Sequence, residues 1–283
     1  MPTYTQEELK RMHELTLDMA EYFVDFCNQH NLTCYLCGGG CIGTIRHKGY
    51  IPWDDDLDFF MPRKDYEKCI QLWNNEQHPR YKMSNSTKTY NDRNLFFTIR
   101  DSHTTYIKPY QKDLDIVHGL VLDVLPIDGY PNGKWQRKMQ MLYALVYSLY
   151  RSETIPSKHG ALMTLGSKIA LGIVPKGLYY PIWRFCEKQM TKYPLDEMTY
   201  MTELCSGPGY MKNRYLRESF DRAIFLPFEN TKMPIPQGYD AYLKTAFGDY
   251  MQLPPLEKQK AHHDVEKMDL DCPYEEYLKQ KNK

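Results

Sequence analysis

Five residues, Asp54 to Asp58, carry four carboxylates in the stretch GYIPWDDDLDFFMPR. They lie between apolar residues, not in a solvated tail, and like charges this close repel unless a cation offsets them. If DLDFFM is a strand, Asp56 and Asp58 share a face about 7 Å apart, and Leu57 and Phe59 enter the other layer. Two carboxylates so placed can bracket a hard divalent cation with water and phosphate oxygens; magnesium suits that donor set, with manganese as the substitute. Gly38, Gly39 and Gly40 stand just upstream. Their missing side chains let backbone N–H groups approach a phosphate closely. Asp123 is isolated in the apolar run VLDVL, where an unpaired charge is costly. A metal shared with Asp56 and Asp58 would be its partner.

Other readings of these residues fall away or stay bland. The D-x-D formed by Asp113 and Asp115 in KDLDIVHG reads as solvated. A calcium loop over Asp54, Asp56 and Asp58 fails, because Phe59 stands where the sharp-turn glycine belongs and Asp65 where the bidentate Glu belongs. No phosphate-binding GxxxxGK[ST] loop is present. Cys34 and Cys37 form a C-x-x-C followed by Cys41, but no second pair follows at zinc-ligand spacing. These cysteines read as small buried apolar residues in their reduced form. Lys plus Arg equals Asp plus Glu at 36 each, which gives no electrostatic footing for a nucleic-acid partner. The start of the chain is polar and does not read as a signal peptide. No apolar run reaches the ~20 residues of a bilayer span. Met139–Tyr150 and Ala161–Val174 read as buried helices or as a surface resting on a membrane.

The elements that must position these groups follow from periodicity. Thr5-x-x-Glu8 is a capping box, and Leu9, Met12, Leu15, Met19, Phe23, Phe26 and Cys27 form one helical face ending near Asn31. TCYLC, DLDFFM, LFFTIR and GLVLDVLPI read as strands, with a helix over Asp65–Trp73 and a turn at Asp128-Gly129. Residues 134 to about 193 are mainly helical, broken at Pro156, Pro175 and Pro181. A last helix spans about Tyr239–Phe247, between proline-bounded extended pieces.

The order glycines, D-x-D on a strand, then an isolated strand Asp is that of the nucleotidyltransferase superfamily. Within it, GGGCIGTIRHKGYIPWDDDLDFFMPRKDYEK resembles the hallmark of the LicD family, including the string R-H-K-G-[FY]-I-P-W-D-D-D-[IL]-D. FTIRDSHTT, GLVLDVLPIDGYP and MPIPQGYDAYLKTAFGDYMQLPP agree in kind and order, so the likeness spans roughly Leu36 to Pro255. It departs at Gly40, where the family usually has Thr or Ser; a hydroxyl contact to phosphate is lost there, while backbone N–H contacts remain. The resemblance implies an α+β fold: a nucleotidyltransferase-like mixed sheet flanked by helices over 1–133, a helical insertion over 134–200, and a C-terminal part over 201–283 packing back on the core.

It also implies a metal-dependent phosphotransferase that moves phosphocholine from CDP-choline, or a related CDP conjugate, to a sugar hydroxyl, releasing CMP. The acceptor would be a cell-surface glycan such as lipopolysaccharide or teichoic acid, or its lipid-linked precursor. The enzyme would be cytoplasmic, at the inner face of the cell membrane. Asp56, Asp58 and Asp123 would hold magnesium, Asp123 serving also as general base. Arg46, His47 and Lys48 in the motif loop and Arg100 at a strand end are candidate phosphate contacts beside Gly38–Gly40. Asp54 and Asp55 match the family string, Asp54 as a supporting or turn residue. Two rivals remain: a nucleotide-sugar glycosyltransferase, whose nucleotide-binding half normally precedes its D-x-D, and a non-catalytic scaffold, which would not need three carboxylates.

Overall fold

The computed structural model describes residues 4–76, 78–155, 161–261 and 263–281. Helix α1 (Gln6–Gln29) starts at the expected capping box: Thr5 Oγ1 accepts from the Glu8 amide at 3.1 Å and Glu8 accepts from the Thr5 amide at 2.8 Å. The chain continues through β1 (Tyr35–Leu36), α2 (Gly38–Arg46), β2 (Asp58–Pro62), α3 (Arg63–Trp73), β3 (Tyr81–Ser84), β4 (Phe97–Asp101), β5 (Thr105–Ile107) and β6 (Leu120–Tyr130). A helical stretch follows: α4 (Lys134–Ser152), α5 (Ala161–Ile173) and α6 (Tyr179–Met190). The remainder is β7 (Tyr200–Glu203), β8 (Tyr215–Leu216), β9 (Ala223–Phe228), β10 (Thr231–Pro236), α7 (Tyr239–Phe247), β11 (Lys267–Asp269) and α8 (Tyr274–Lys281).

The fold is α+β. A seven-stranded sheet has the order β1-β2-β6-β4-β3, with β7 pairing β6 and β8 pairing β7. Only β2 and β6 run parallel in it, and their register sets Asp58 directly beside Asp123. Alternation along β2 divides the layers. Phe59 packs on Phe23 of α1 (ring centroids 5.2 Å apart), and Phe60 turns the other way to Tyr242 of α7 (5.8 Å). The main core lies between the sheet, α1 and α3 on one side and α2, α7 and the β9–β10 hairpin on the other. Helices α4 and α6 build a second core around Ala144, Tyr147, Trp183 and Met190. All eight cysteines are unpaired and seven are buried, as read from the sequence.

Leu57 packs beside Gly40 with Leu36, the cross-strand partner of Phe59, so Leu57 and Phe59 share a layer as expected. Two local expectations are corrected. Asp128-Gly129 is not a turn but the continuation of β6, because β7 pairs with it there. A side chain at Gly129 would meet the Tyr193 carbonyl at 2.3 Å, so glycine marks a close backbone approach. Pro181 does not break a helix; it sits in the first turn of α6, where its missing N–H is tolerated. The expected break at Pro156 lies outside the described residues.

Asp128 owes its place in the sheet to Arg63 at the start of α3, which grips it with two bonds, Nε to Oδ1 at 2.7 Å and Nη2 to Oδ2 at 2.8 Å. Both side chains are nearly excluded from solvent, so losing one strands a charge. Arg63→Met should cost about 3–5 kcal/mol in urea unfolding. The double variant Arg63→Met/Asp128→Leu should cost clearly less than the two single changes summed, and additive losses would show that the pair is not coupled.

Candidate active site

A cavity of about 570 Å³ opens at the start of the parallel pair, where Asp58 stands beside Asp123. Asp54, Asp56, Asp58, Asp123 and Glu203 line it, together with Cys37, Gly38 and Gly39 at the start of α2. A second cavity of about 400 Å³, between α4 and α5, is apolar and lined by no ionisable group; the acidic groups of the motif gather in the first.

Each acidic group reaches the cavity by a different device. Asp58 and Asp123 are cross-strand neighbours on one face of the sheet. Asp56 precedes β2 in irregular backbone, yet lines the same cavity as Asp58. Asp54 lies against Gly39, where an added Cβ would sit 2.0 Å from its Oδ2. The Asp54 carbonyl accepts from His13 Nε2 at 2.7 Å, and the His13 ring stacks on Tyr50 (centroids 4.0 Å apart), so α1 braces the motif loop. The turn of the β9–β10 hairpin braces it too: Glu229 donates its amide to the Lys48 carbonyl and accepts from the Tyr50 amide. Asp55 turns away from Asp54, is buried, and accepts from the His263 amide (3.1 Å) and ring Nδ1 (3.0 Å).

The electrostatics are unfavourable for an all-anionic site. Burial and the neighbouring Asp56, Asp123 and Asp54 push the Asp58 carboxyl well above its ordinary value. Burial, then Asp56 and Asp55, do the same to Asp54. Asp56 is raised by burial, with His263 opposing, and Asp55 and Asp123 adding to the rise. His263 is pushed up to about 9, first by its bond to Asp55, against burial, and further by Asp56. Lys108 Nζ lies 3.9 Å from Asp123 Oδ2, too far for a hydrogen bond. Oδ1 of Asp58 and Oδ1 of Asp123 are both buried without a hydrogen-bond partner. Such orphaned acceptors fit a cation. Asp55, Asp56 and His263 also bring three ligand atoms within 4.8 Å of one another. Asp55, however, is already engaged by His263, so the unspent donors are those of Asp58 and Asp123, with Asp56 beside them.

The glycines divide. Gly38 and Gly39 face the cavity at the N-terminus of α2, whose first-turn N–H groups favour an anion, although the Gly38 amide is already given to Tyr242 Oη at 3.0 Å. Gly40 faces away, and a Cβ there would meet Leu57 at 2.9 Å and Leu36 at 3.2 Å. The basic candidates lie elsewhere. Arg46 is held by the Tyr250 carbonyl (2.9 Å) and by His47 Nε2 (2.9 Å). His47 is thereby an acceptor for Arg46, set edge-on to Trp53. Lys48 is exposed at a positive-φ turn. Arg100 is wholly buried in β4, bonded to Thr98, Val117 and Gln111. None of the four lines the cavity. Their type and place in the motif suggested phosphate contact; backbone carbonyls and core acceptors hold Arg46 and Arg100 instead, and Lys48 lies at the surface. Asp113 and Asp115 are exposed, as read.

Sequence reasoning missed Lys108, Glu203 and His263. Lys108 ends a short strand too brief to show a period. Glu203 opens the Gly/Pro-rich run ELCSGPGY, a signal that a loop there serves the site. His263 lies beyond the recognisable motifs, and only the histidine pair at 262–263 hints at a role.

Comparison with known proteins agrees with this geometry. Residues 31–121 match the model of the LicD/FKTN/FKRP nucleotidyltransferase domain. The chain is also 27% identical, over 275 residues, to the lipopolysaccharide cholinephosphotransferase LicD of Haemophilus influenzae, covering 90% of this chain and 96% of that protein. The domain match contains the glycine turn and the whole acidic string, the second match takes in most of the chain, and both bear out the likeness to the LicD family read from the sequence.

Proposed function

We propose that the protein is a phosphotransferase that moves phosphocholine from CDP-choline to a sugar hydroxyl of a cell-surface glycan or its precursor, releasing CMP. The observation that carries this reading is the pair of orphaned carboxylate oxygens on Asp58 and Asp123, facing a cavity at the N-terminus of α2. The similarity to a lipopolysaccharide cholinephosphotransferase names the transferred group.

Asp56, Asp58 and Asp123 would hold the metal, magnesium by its preference for carboxylates and phosphate oxygens. When bound, it neutralises charge on the diphosphate and on departing CMP. The chain's own groups do the rest. The N-terminus of α2, at Gly39, receives phosphate oxygens. His263, fixed by Asp55, and Lys108 add positive charge beside Asp56 and Asp123. Asp123 accepts the proton of the attacking hydroxyl. That oxygen bonds to the phosphorus carrying choline as the bridge from phosphorus to CMP breaks.

The same reading places the enzyme on the cytoplasmic face of a membrane. No helix of the described residues is long and apolar enough to cross one. Residues 134–192 hold ten Lys or Arg against only Glu153 and Glu187, in a chain whose charges balance overall. On α5, Leu165, Ile169 and Ile173 recur every four residues and are exposed, with Lys168 among them, and Leu178 and Lys176 follow. Apolar residues interleaved with cations suit an anionic bilayer surface, near the lipid-linked acceptor.

Three outcomes check this reading. Asp58→Asn and Asp123→Asn should each lower turnover at least 100-fold and abolish the magnesium-dependent rise in melting temperature. Without metal, Asp58→Asn should melt no lower than the parent, since it removes repulsion; retained turnover in either variant would end the metal assignment. Mass spectrometry of the acceptor after incubation with CDP-choline should show a gain of phosphocholine with CMP release. A gain of a whole nucleotide would make the enzyme a nucleotidyltransferase, and CDP release a glycosyltransferase. The protein should float with vesicles containing phosphatidylglycerol and much less with Leu165→Ser/Ile173→Ser. Recovery of the parent in the soluble fraction at low salt would remove the membrane contact.

A further inference from the structure

Beyond the acidic string, the cavity holds a carboxylate that the reaction above does not use. Glu203 ends β7 directly across from Ile127 of β6, four residues beyond Asp123. At 3.3 Å per residue that is roughly 13 Å along the strand, on the same face of the sheet. Glu203 is buried, and its Oε1 accepts from the Tyr215 hydroxyl. Three aromatic rings line the cavity at this end. Phe247, the last residue of α7, meets Tyr210 edge-on with centroids 6.1 Å apart and Tyr242 with centroids 6.5 Å apart. Tyr210 and Phe247 remain 39% and 36% exposed, large apolar faces left open on a cavity wall.

Tyr215, Ser206 and Asn213 donate toward Glu203 and pull its carboxyl down, but burial outweighs them and leaves it above the ordinary value. It shares its cavity wall with ring faces, and a cation brought alongside would offset the remaining cost. A cation bearing N–H groups would need acceptors that ring faces do not supply. A quaternary ammonium has no N–H to satisfy and is held by ring faces and a nearby negative charge. The distance from Asp123 separates this end from the phosphate end, as a headgroup and a diphosphate must be separated. Resting on the donor reading above, we infer that Glu203, Tyr210, Tyr242 and Phe247 form the subsite for the donor's quaternary ammonium and set the enzyme's choice of headgroup.

The test is headgroup selectivity. kcat/KM would be measured with magnesium for CDP-choline and for CDP-glycerol, which is uncharged beyond the diphosphate, in the parent and in Glu203→Gln, Tyr210→Leu and Phe247→Leu. Tyr210 and Phe247 are surface-exposed enough that their variants should fold, which melting curves check. The parent should prefer CDP-choline. Each variant should lose that preference about tenfold, mainly through KM, as expected from cation–π contacts of roughly 0.5–2 kcal/mol per ring. Binding of CDP, which lacks the headgroup, should change less than twofold. If the parent prefers choline and all folded variants keep the preference, the subsite is wrong and the donor reading survives. If selectivity falls only together with CDP binding, the residues shape the cavity generally and the inference fails. A parent that does not prefer choline overturns both.

Discussion

Mutual repulsion among buried carboxylates is the constraint around which this molecule is built. Asp54, Asp56, Asp58, Asp123 and Glu203 face one cavity, and Asp54, Asp56 and Asp123 each raise the cost of charging Asp58. Nothing about the acidic string itself favours that convergence, so it has to be imposed from outside. The parallel register of β2 and β6 places Asp58 beside Asp123. Helix α1 holds the Asp54 backbone through His13, and the hairpin turn at Glu229 clamps the loop behind it. The large apolar core supplies the free energy for these contacts, and the site stores part of it as electrostatic strain that a bound cation would release.

The same constraint explains what could be read from the sequence. Asp56, Asp58 and Asp123 stood out because charges among apolar residues violate the usual pattern, and the structure brings them to one cavity. The helices α1, α3 and α7 were legible because each carries its own cap or a clear apolar face. The basic residues were misread for the opposite reason. Arg46 and Arg100 look available in one dimension, but a guanidinium has five donors and a folding chain presents many unpaired carbonyls. Whether such a side chain meets a ligand or its own backbone depends on loops more than 200 residues away, as with Arg46 and Tyr250. Glu203, Lys108 and His263 were missed because the local signals near them, a Gly/Pro-rich run and a histidine pair, are weak or absent, and tertiary pairing gives them their place.

The strand boundary at Asp58 does not limit the alternation. Two-residue alternation predicts Asp56 and Asp58 on one side and Leu57 on the other. Asp56, Asp58 and Phe60 line the cavity, and Leu57 packs with Leu36, the cross-strand partner of Phe59. The pattern thus runs back past the first residue of β2 into the loop, whose path is fixed in part where Asp54 and Leu57 lie against Gly39 and Gly40 of α2.

The clamp between Asp55 and His263 joins residues 208 positions apart, and that between Gly38 and Tyr242 joins residues 204 apart. Contacts of such long sequence separation form late, because the loop-closure entropy must be met before they contribute. During synthesis the acidic string emerges early, Lys108 follows beside Asp123, and the His263 clamp on Asp55 waits for the far end of the chain. A chain lacking that end would leave Asp55 and Asp56 without His263, so the acidic groove depends on the last-made part of the chain for its charge balance.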